Sequence, residues 1–182
     1  TIKPDDNTLA GAFTKLGAGT LTLTGAGALR LSDTNSYSGG STVLQGVLTA
    51  LTTGALGTGP VSVAGSAGRD AELRFAGTAS AGSLAISVAP GPESVLTFGD
   101  SASAGSATIA ARGDVFFGDT ASAGDATIDA RRGLSFNRSS TAGASRITIE
   151  ESGYLEFHGT SSAGSATITN NHFVNFFGDN TA

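Results

Sequence analysis

The sequence predicts an all-β chain wound as a solenoid, a stacked parallel coil with about 20 residues per rung. Three observations predict it. An aromatic marker returns at Phe75, Phe98, Phe117, Phe136, Phe157 and Phe177, in steps of 23, 19, 19, 21 and 20 residues. A turn glycine follows the first five at a constant gap of 7, at Gly82, Gly105, Gly124, Gly143 and Gly164. An isoleucine follows each of those glycines at a constant gap of 4, at Ile86, Ile109, Ile128, Ile147 and Ile168. Length variation is thereby confined to the stretch between the isoleucine and the next aromatic. A repeat this short buries no core alone and must stack on its neighbours.

Composition agrees. The 182 residues include 27 Gly and 10 Phe but no Cys, Met or Trp, and only 14% are charged, well under the usual quarter. A hydrophobic fraction of 39% and a net charge of -5 argue against disorder. The absence of cysteine removes disulfides, thiolate catalysis and Cys-based metal sites, and it fits a protein exported unfolded and folded outside. No apolar run approaches the roughly 18 residues of a membrane span. No signal peptide is visible at Thr1. The acidic balance and scattered arginines argue against a nucleic-acid surface.

Residues 1–12 form an irregular lead-in containing Pro4, Asp5, Asp6 and Asn7. Phe13 opens FTKLGAGTLTLTG, in which Gly17 and Gly19 make a turn before the alternating strand Thr20–Thr24. Leu21 and Leu23 face one way and the threonines the other. Ala28–Ser32 repeats the alternation after a turn at Gly25 and Gly27. DTNSYSGG, from Asp33 to Gly40, is a loop; Ser41–Leu44 is a strand, Gln45-Gly46 a tight turn and Val47–Ala50 another strand.

KLGAGTLTLTG (15–25), NSYSGGSTVLQGVLTA (35–50) and GALGTGPVSV (54–63) together resemble the passenger-associated transport repeat of bacterial autotransporters. The resemblance covers residues 13–63 as two pieces around an insertion at 26–33, AGALRLSD, and residues 64–182 look like regular passenger rungs, truncated at the C-terminal end. It implies a right-handed parallel β-helix, type V secretion, and a location on the bacterial cell surface or outside the cell. It also implies a C-terminal outer-membrane barrel of the same precursor, whose strands this chain does not contain.

In the later rungs Leu73, Leu96, Val115, Leu134 and Leu155 each stand two residues before their phenylalanine, so both members of each pair point inward. Glu72, Arg74, Ser135 and Glu156 take the outward phase. Leu84, Ala107, Ala126, Ser145 and Ala166 precede the isoleucines by two and share the same interior. Ala81, Ala104, Ala123, Ala142 and Ala163, just before the turn glycines, are expected at a corner too tight for a larger side chain. About nine turns and a rod near 40 Å long follow from the strand spacing. The last rung has two registers: Phe177-Gly178-Asp179 matches by motif, whereas Phe176 with Val174 matches by inward alternation.

Candidate chemistry is sparse. Asp100, Asp119 and Asp179 recur two residues after the aromatic, a cation ladder or, more simply, Asx turns, with Arg138 and Gly159 interrupting the series. Asp114, Asp125 and Asp129 fall on consecutive rungs and would suit glycoside chemistry if they converged. His158 and His172 lack a clear third ligand, the glycine run at 17–27 lacks a P-loop lysine, and the outward threonine row, suggestive of ice binding, is interrupted by Arg146. No residue is assigned a catalytic, cofactor-binding or metal-ligating role, and no cofactor is expected.

The expected function is a non-catalytic surface passenger, a stalk or scaffold for adhesion, aggregation or domain presentation, with contact surfaces at Asp33–Gly40 and Arg138–Glu151. Its partners would be the barrel, a host surface, matrix or sister cell, and further copies meeting end to end. The alternative is a carbohydrate-binding or carbohydrate-cleaving β-helix that uses surface carboxylates in an elongated groove.

Overall fold

The computed structural model describes residues 17–178. Its elements are all strands, two to a turn. β1 (Leu21–Leu23) and β2 (Ala28–Leu31) make the first turn, β3 (Ser41–Val43) and β4 (Gly46–Ala50) the second, and β5 (Val61–Val63) and β6 (Ala71–Phe75) the third. Next come β7 (Ala85–Val88) with β8 (Ser94–Phe98), β9 (Thr108–Ala111) with β10 (Asp114–Phe117), and β11 (Thr127–Ala130) with β12 (Gly133–Phe136). β13 (Arg146–Ile149) with β14 (Tyr154–Gly159) and β15 (Thr167–Asn170) with β16 (Phe173–Gly178) complete eight turns among the described residues.

Odd-numbered strands form one eight-stranded sheet and even-numbered strands the other, each strand pairing in parallel with the strands of the turns before and after it. Parallel neighbours need a crossover, and here each sheet's strand serves as the other's crossover. The chain is a parallel β-solenoid, and its eight strand levels span ~34 Å. The segment 26–33 contains β2, which lies in register with β4 (Leu29 opposite Leu48), so it supplies the second-sheet strand of the first turn.

Two ladders fill the interior. Ile86, Ile109, Ile128, Ile147 and Ile168 stand directly over one another in the first sheet. In the second, Phe75, Phe98, Phe117, Phe136, Phe157 and Phe176 stack with ring centroids 4.6–5.0 Å apart and planes within 4–11° of parallel. The backbone imposes that geometry: strands repeat every ~4.8 Å, and like side chains in register must follow. The stack also settles the last register. Phe176 lies opposite Phe157 and Val174 opposite Leu155, while Phe177 lies opposite His158. The motif match at Phe177 is thus overruled by alternation, because a one-residue slip would turn Val174 out of the core.

The first two turns place Leu31 and Ala50 at the aromatic position. Their connecting arcs compensate by burying Tyr37 and Leu56, where the arcs of later turns bury Ala79 and Ala81, Ala102 and Ala104, Ala121 and Ala123. Volume moves from one side of the cross-section to the other, which keeps the interior close to native density. Tyr37 carries a hydroxyl into this core, and the buried Ser41 side chain, at a ladder position otherwise held by aliphatics, bonds to it.

The narrow third side is built from the arcs. Ser80, Ser103, Ser122, Thr141 and Ser162 bridge in parallel from turn to turn. Each side-chain oxygen accepts the N–H of the glycine two residues on, at 2.9–3.0 Å, from Gly82 to Gly164. Those glycines have φ of 57–62°, the left-handed region. A Cβ on Gly124 would also stand 2.7 Å from the carbonyl oxygen of Gly105 beneath it. The alanines before them are 0–8% exposed, as a tight corner requires.

Candidate functional site

The outer faces of the two sheets differ chemically. Down the first runs the row Thr22, Thr42, Ser62, Ser87, Ala110, Asp129, Thr148 and Thr169, short polar groups broken by one alanine and one carboxylate. The outer face of the second carries Arg30, Thr49, Arg74, Thr97, Phe116, Ser135 and Glu156 in one row. In the next row Glu72, Val95 and Asp114 follow one another, and Gly133 lies opposite Tyr154. Aromatic and charged groups capable of recognition are concentrated on this second face.

Phe116 is the outward member of a Phe-Phe pair on β10, its partner Phe117 being fully buried. It stands between Thr97 and Ser135 and is 36% exposed. Two depressions meet at it. The larger, about 640 Å³, has Val47, Glu72, Val95, Thr97 and Phe116 along its floor and Gln45, Gly68, Asp70 and Pro92 around its rim. The smaller, about 290 Å³, continues past Thr97 and Phe116 to Arg74, Asp119 and Arg138. Sequence reasoning placed Glu72 and Arg74 outward but missed Phe116 and the trough; the doubled phenylalanine was the available signal.

The trough exists because two arcs are long. Residues 64–70 and 89–93 separate first-sheet from second-sheet strands in the third and fourth turns, where only 112–113 and 131–132 do so in the fifth and sixth. Backbone bonds tie these arcs into the ladder: Gly46 N–H donates to Asp70 O at 2.8 Å and Ala71 N–H to Glu93 O at 2.7 Å. The fully buried Ser94 side chain accepts Gly65 N–H at 3.0 Å.

The acidic candidates do not converge. Asp114 lies on the second sheet, where its Oδ1 sits 2.9 Å from Arg132 Nε and accepts Gly133 N–H at 3.2 Å. Asp129 lies on the first sheet, 3.3 Å from Arg131 Nη2, and Asp125 occupies the arc before β11. A Cβ on Gly133 would meet both Asp114 Oδ1 and Tyr154 Oη at 2.6 Å, so only a bare glycine leaves room for these two side chains. Burial, then the Asp114 and Glu156 charges, push the Tyr154 pKa up. Burial also raises that of Tyr37.

The recurring aspartates mark a left-handed column. Gly77, Asp100, Asp119, Arg138 and Gly159 all have positive φ, from 50° to 73°. The carboxylates bond across turns, which corrects the expectation of local Asx turns: Asp100 Oδ2 accepts Gly77 N–H at 2.8 Å and Asp119 Oδ2 accepts Asp100 N–H at 3.0 Å. Arg138 Nη1 donates to Asp119 Oδ1 at 2.9 Å. Gly178 takes the next place, opposite Gly159, and Asp179 lies outside the described residues. Among the described residues no group of three or more His, Asp or Glu is arranged to hold a metal ion.

His158 lies 3.2 Å from Glu156 and stacks on Phe177, and His172 Nδ1 sits 2.9 Å from Gly153 O in the bend before β16. The two belong to separate local networks. Comparison with known proteins yields no match: no family model, no curated protein and no solved structure aligns with this chain.

Proposed function

We propose that this chain is a non-catalytic rod segment of a surface-exposed bacterial passenger, serving as a stalk or scaffold for adhesion, aggregation or presentation of another domain. The observation that carries the reading is the core itself. Two sheets and one continuous buried core run through all eight described turns, so the polypeptide is invested in length and stiffness. Two of the three candidate carboxylates, Asp129 and Asp114, are paired with Arg131 and Arg132 on separate faces. The resemblance of residues 13–63 to the transport repeat supports export through an outer-membrane barrel of the same precursor and folding at the cell surface.

The test grafts residues 1–182 between a secretion signal carrying an epitope and a C-terminal outer-membrane barrel in a Gram-negative host. Surface antibody labelling and a protease-resistant core are expected. Retention of the epitope in the periplasm sinks the reading. Purified protein titrated onto host cells, matrix and sister bacteria then separates the roles: saturable binding marks an adhesin, and its absence on all three marks a passive stalk.

A further inference from the structure

We propose that the trough on the outer face of the second sheet binds a neutral oligosaccharide, with the exposed ring of Phe116 as the platform for a sugar ring. This goes beyond the rod reading and is independent of the export route.

Continuity comes first. The two depressions share Thr97 and Phe116, so they form one path that runs past the aromatic ring instead of ending against it. An elongated ligand several units long suits such a path better than a compact one. The long arcs at 64–70 and 89–93 wall one side and are bonded to the ladder, so the site is already formed before any ligand arrives.

The chemistry of the lining selects the occupant. Val95 and Phe116 offer apolar surface, and an aromatic face accepts the C–H side of a pyranose ring. Around them stand carboxylates and guanidinium groups, the planar acceptors and forked donors that match neighbouring hydroxyls. The lining carries four carboxylates, Asp70, Glu72, Asp100 and Asp119, and two guanidinium groups, Arg74 and Arg138. Arg74 pairs with Glu72 at 3.0 Å, and Arg138 pairs with Asp119 at 2.9 Å. With Glu72 and Asp119 paired and Asp100 bonded to Gly77 N–H, the excess over the two arginines is acidic, which disfavours a polyanion. The apolar ring beside these planar acceptors favours a hydroxyl-rich neutral ligand, and hexalysine in the test below decides against the cationic one. A peptide strand fits poorly, because it binds sheets by pairing with a free edge. Here the floor is the face of a sheet whose backbone groups are already bonded to the turns on either side.

The test uses the full chain and four neutral probes, cellohexaose, laminarihexaose, maltohexaose and mannohexaose, with hexagalacturonate and hexalysine as charged comparisons, read by isothermal titration. At least one neutral hexaose is expected to bind with Kd at or below about 1 mM. Phe116→Ala should weaken that binding about tenfold or more with an unchanged melting temperature, and Glu72→Gln should weaken it as well. Tyr154→Ala, outside the trough, should bind like wild type. If Phe116→Ala lowers the melting temperature, Thr97→Arg, which fills the path beside the ring, provides the same readout. The proposal is overturned if no neutral hexaose binds at roughly 10 mM, if hexagalacturonate or hexalysine binds instead, or if Phe116→Ala and Thr97→Arg bind as wild type. Surface display of the rod is a separate readout, so failure here leaves that reading standing.

Discussion

Replacing Phe117 by Ala removes the middle of the aromatic column. The side chain is fully buried and its ring lies 4.7 Å from Phe98 on one side and 4.7 Å from Phe136 on the other. Deletion of a buried Phe costs about 3–5 kcal/mol when the site relaxes only partly. Relaxation is limited here, because Val115 and Phe117 are held in register by parallel bonds to β8 and β12, and the rings cannot close the gap without breaking that register. The upper half of the range, about 4–5 kcal/mol, is expected. Phe176 is the control. It ends the column with one stacking partner and is 42% exposed, so Phe176→Ala should cost no more than about 1–2 kcal/mol. Guanidinium unfolding followed by far-ultraviolet circular dichroism reads both, with midpoints compared directly, since a solenoid need not unfold in two states. Equal midpoint shifts for the two variants, or a Phe117→Ala midpoint indistinguishable from wild type, would refute an interior set by the backbone repeat.

Gly124→Ala should destabilise by about 2 kcal/mol or more, through left-handed strain and the close carbonyl of Gly105, whereas Arg138→Gly should leave stability unchanged or raise it by up to about 1 kcal/mol; thermal melts of the two compare the glycine and non-glycine left-handed columns. The only two tyrosines, Tyr37 and Tyr154, both have pKa values raised above the ordinary 10.0, so native phenolate absorbance should appear at higher pH than in the denatured chain. Because the folded form holds the neutral phenols, their contribution is complete below pH 10 and declines as pH rises through the folded values; a native titration coinciding with the denatured one refutes this. β16 ends its sheet among the described residues, and with Phe173, Phe176 and Phe177 each over 40% exposed it should give concentration-dependent association by sedimentation, suppressed by Val174→Lys. Sedimentation as a monomer at all concentrations would remove end-to-end contact from the account.

Much of the fold was legible because a solenoid writes its contacts into the spacing of its residues. The constant gaps from Phe75 to Gly82 and from Gly82 to Ile86 reappear as one conserved arc and one ladder each. The role of 26–33 was hidden, because without the partner strand β4 nothing separates a loop strand from a rung strand. The last register was ambiguous for the same reason, and pairing with Leu155 decided it. The trough was not legible. It depends on which outward residues two long arcs leave uncovered, a three-dimensional property that leaves little trace beyond the doubled Phe116-Phe117. The scatter of Asp114, Asp125 and Asp129 was legible in part, since Asp129 follows Ile128 and Asp114 precedes Phe117 by three, two different strands of the repeat; that those strands belong to two separate sheets came only with the pairing.

The repeating arc has a consequence for how such a gene changes. Between Phe98 and Phe136 two successive copies of 19 residues keep the same ladder positions and the same glycine corner. Unequal crossing-over between the copies would join Phe98 to Gly118 or duplicate the interval, and either product retains every inward partner above and below the junction. Each event shortens or lengthens the rod by one strand spacing, ~4.8 Å, and turns the attached face by one small, fixed step. Rod length thereby becomes a quantity that recombination adjusts in whole turns, while core and corner chemistry stay as they are.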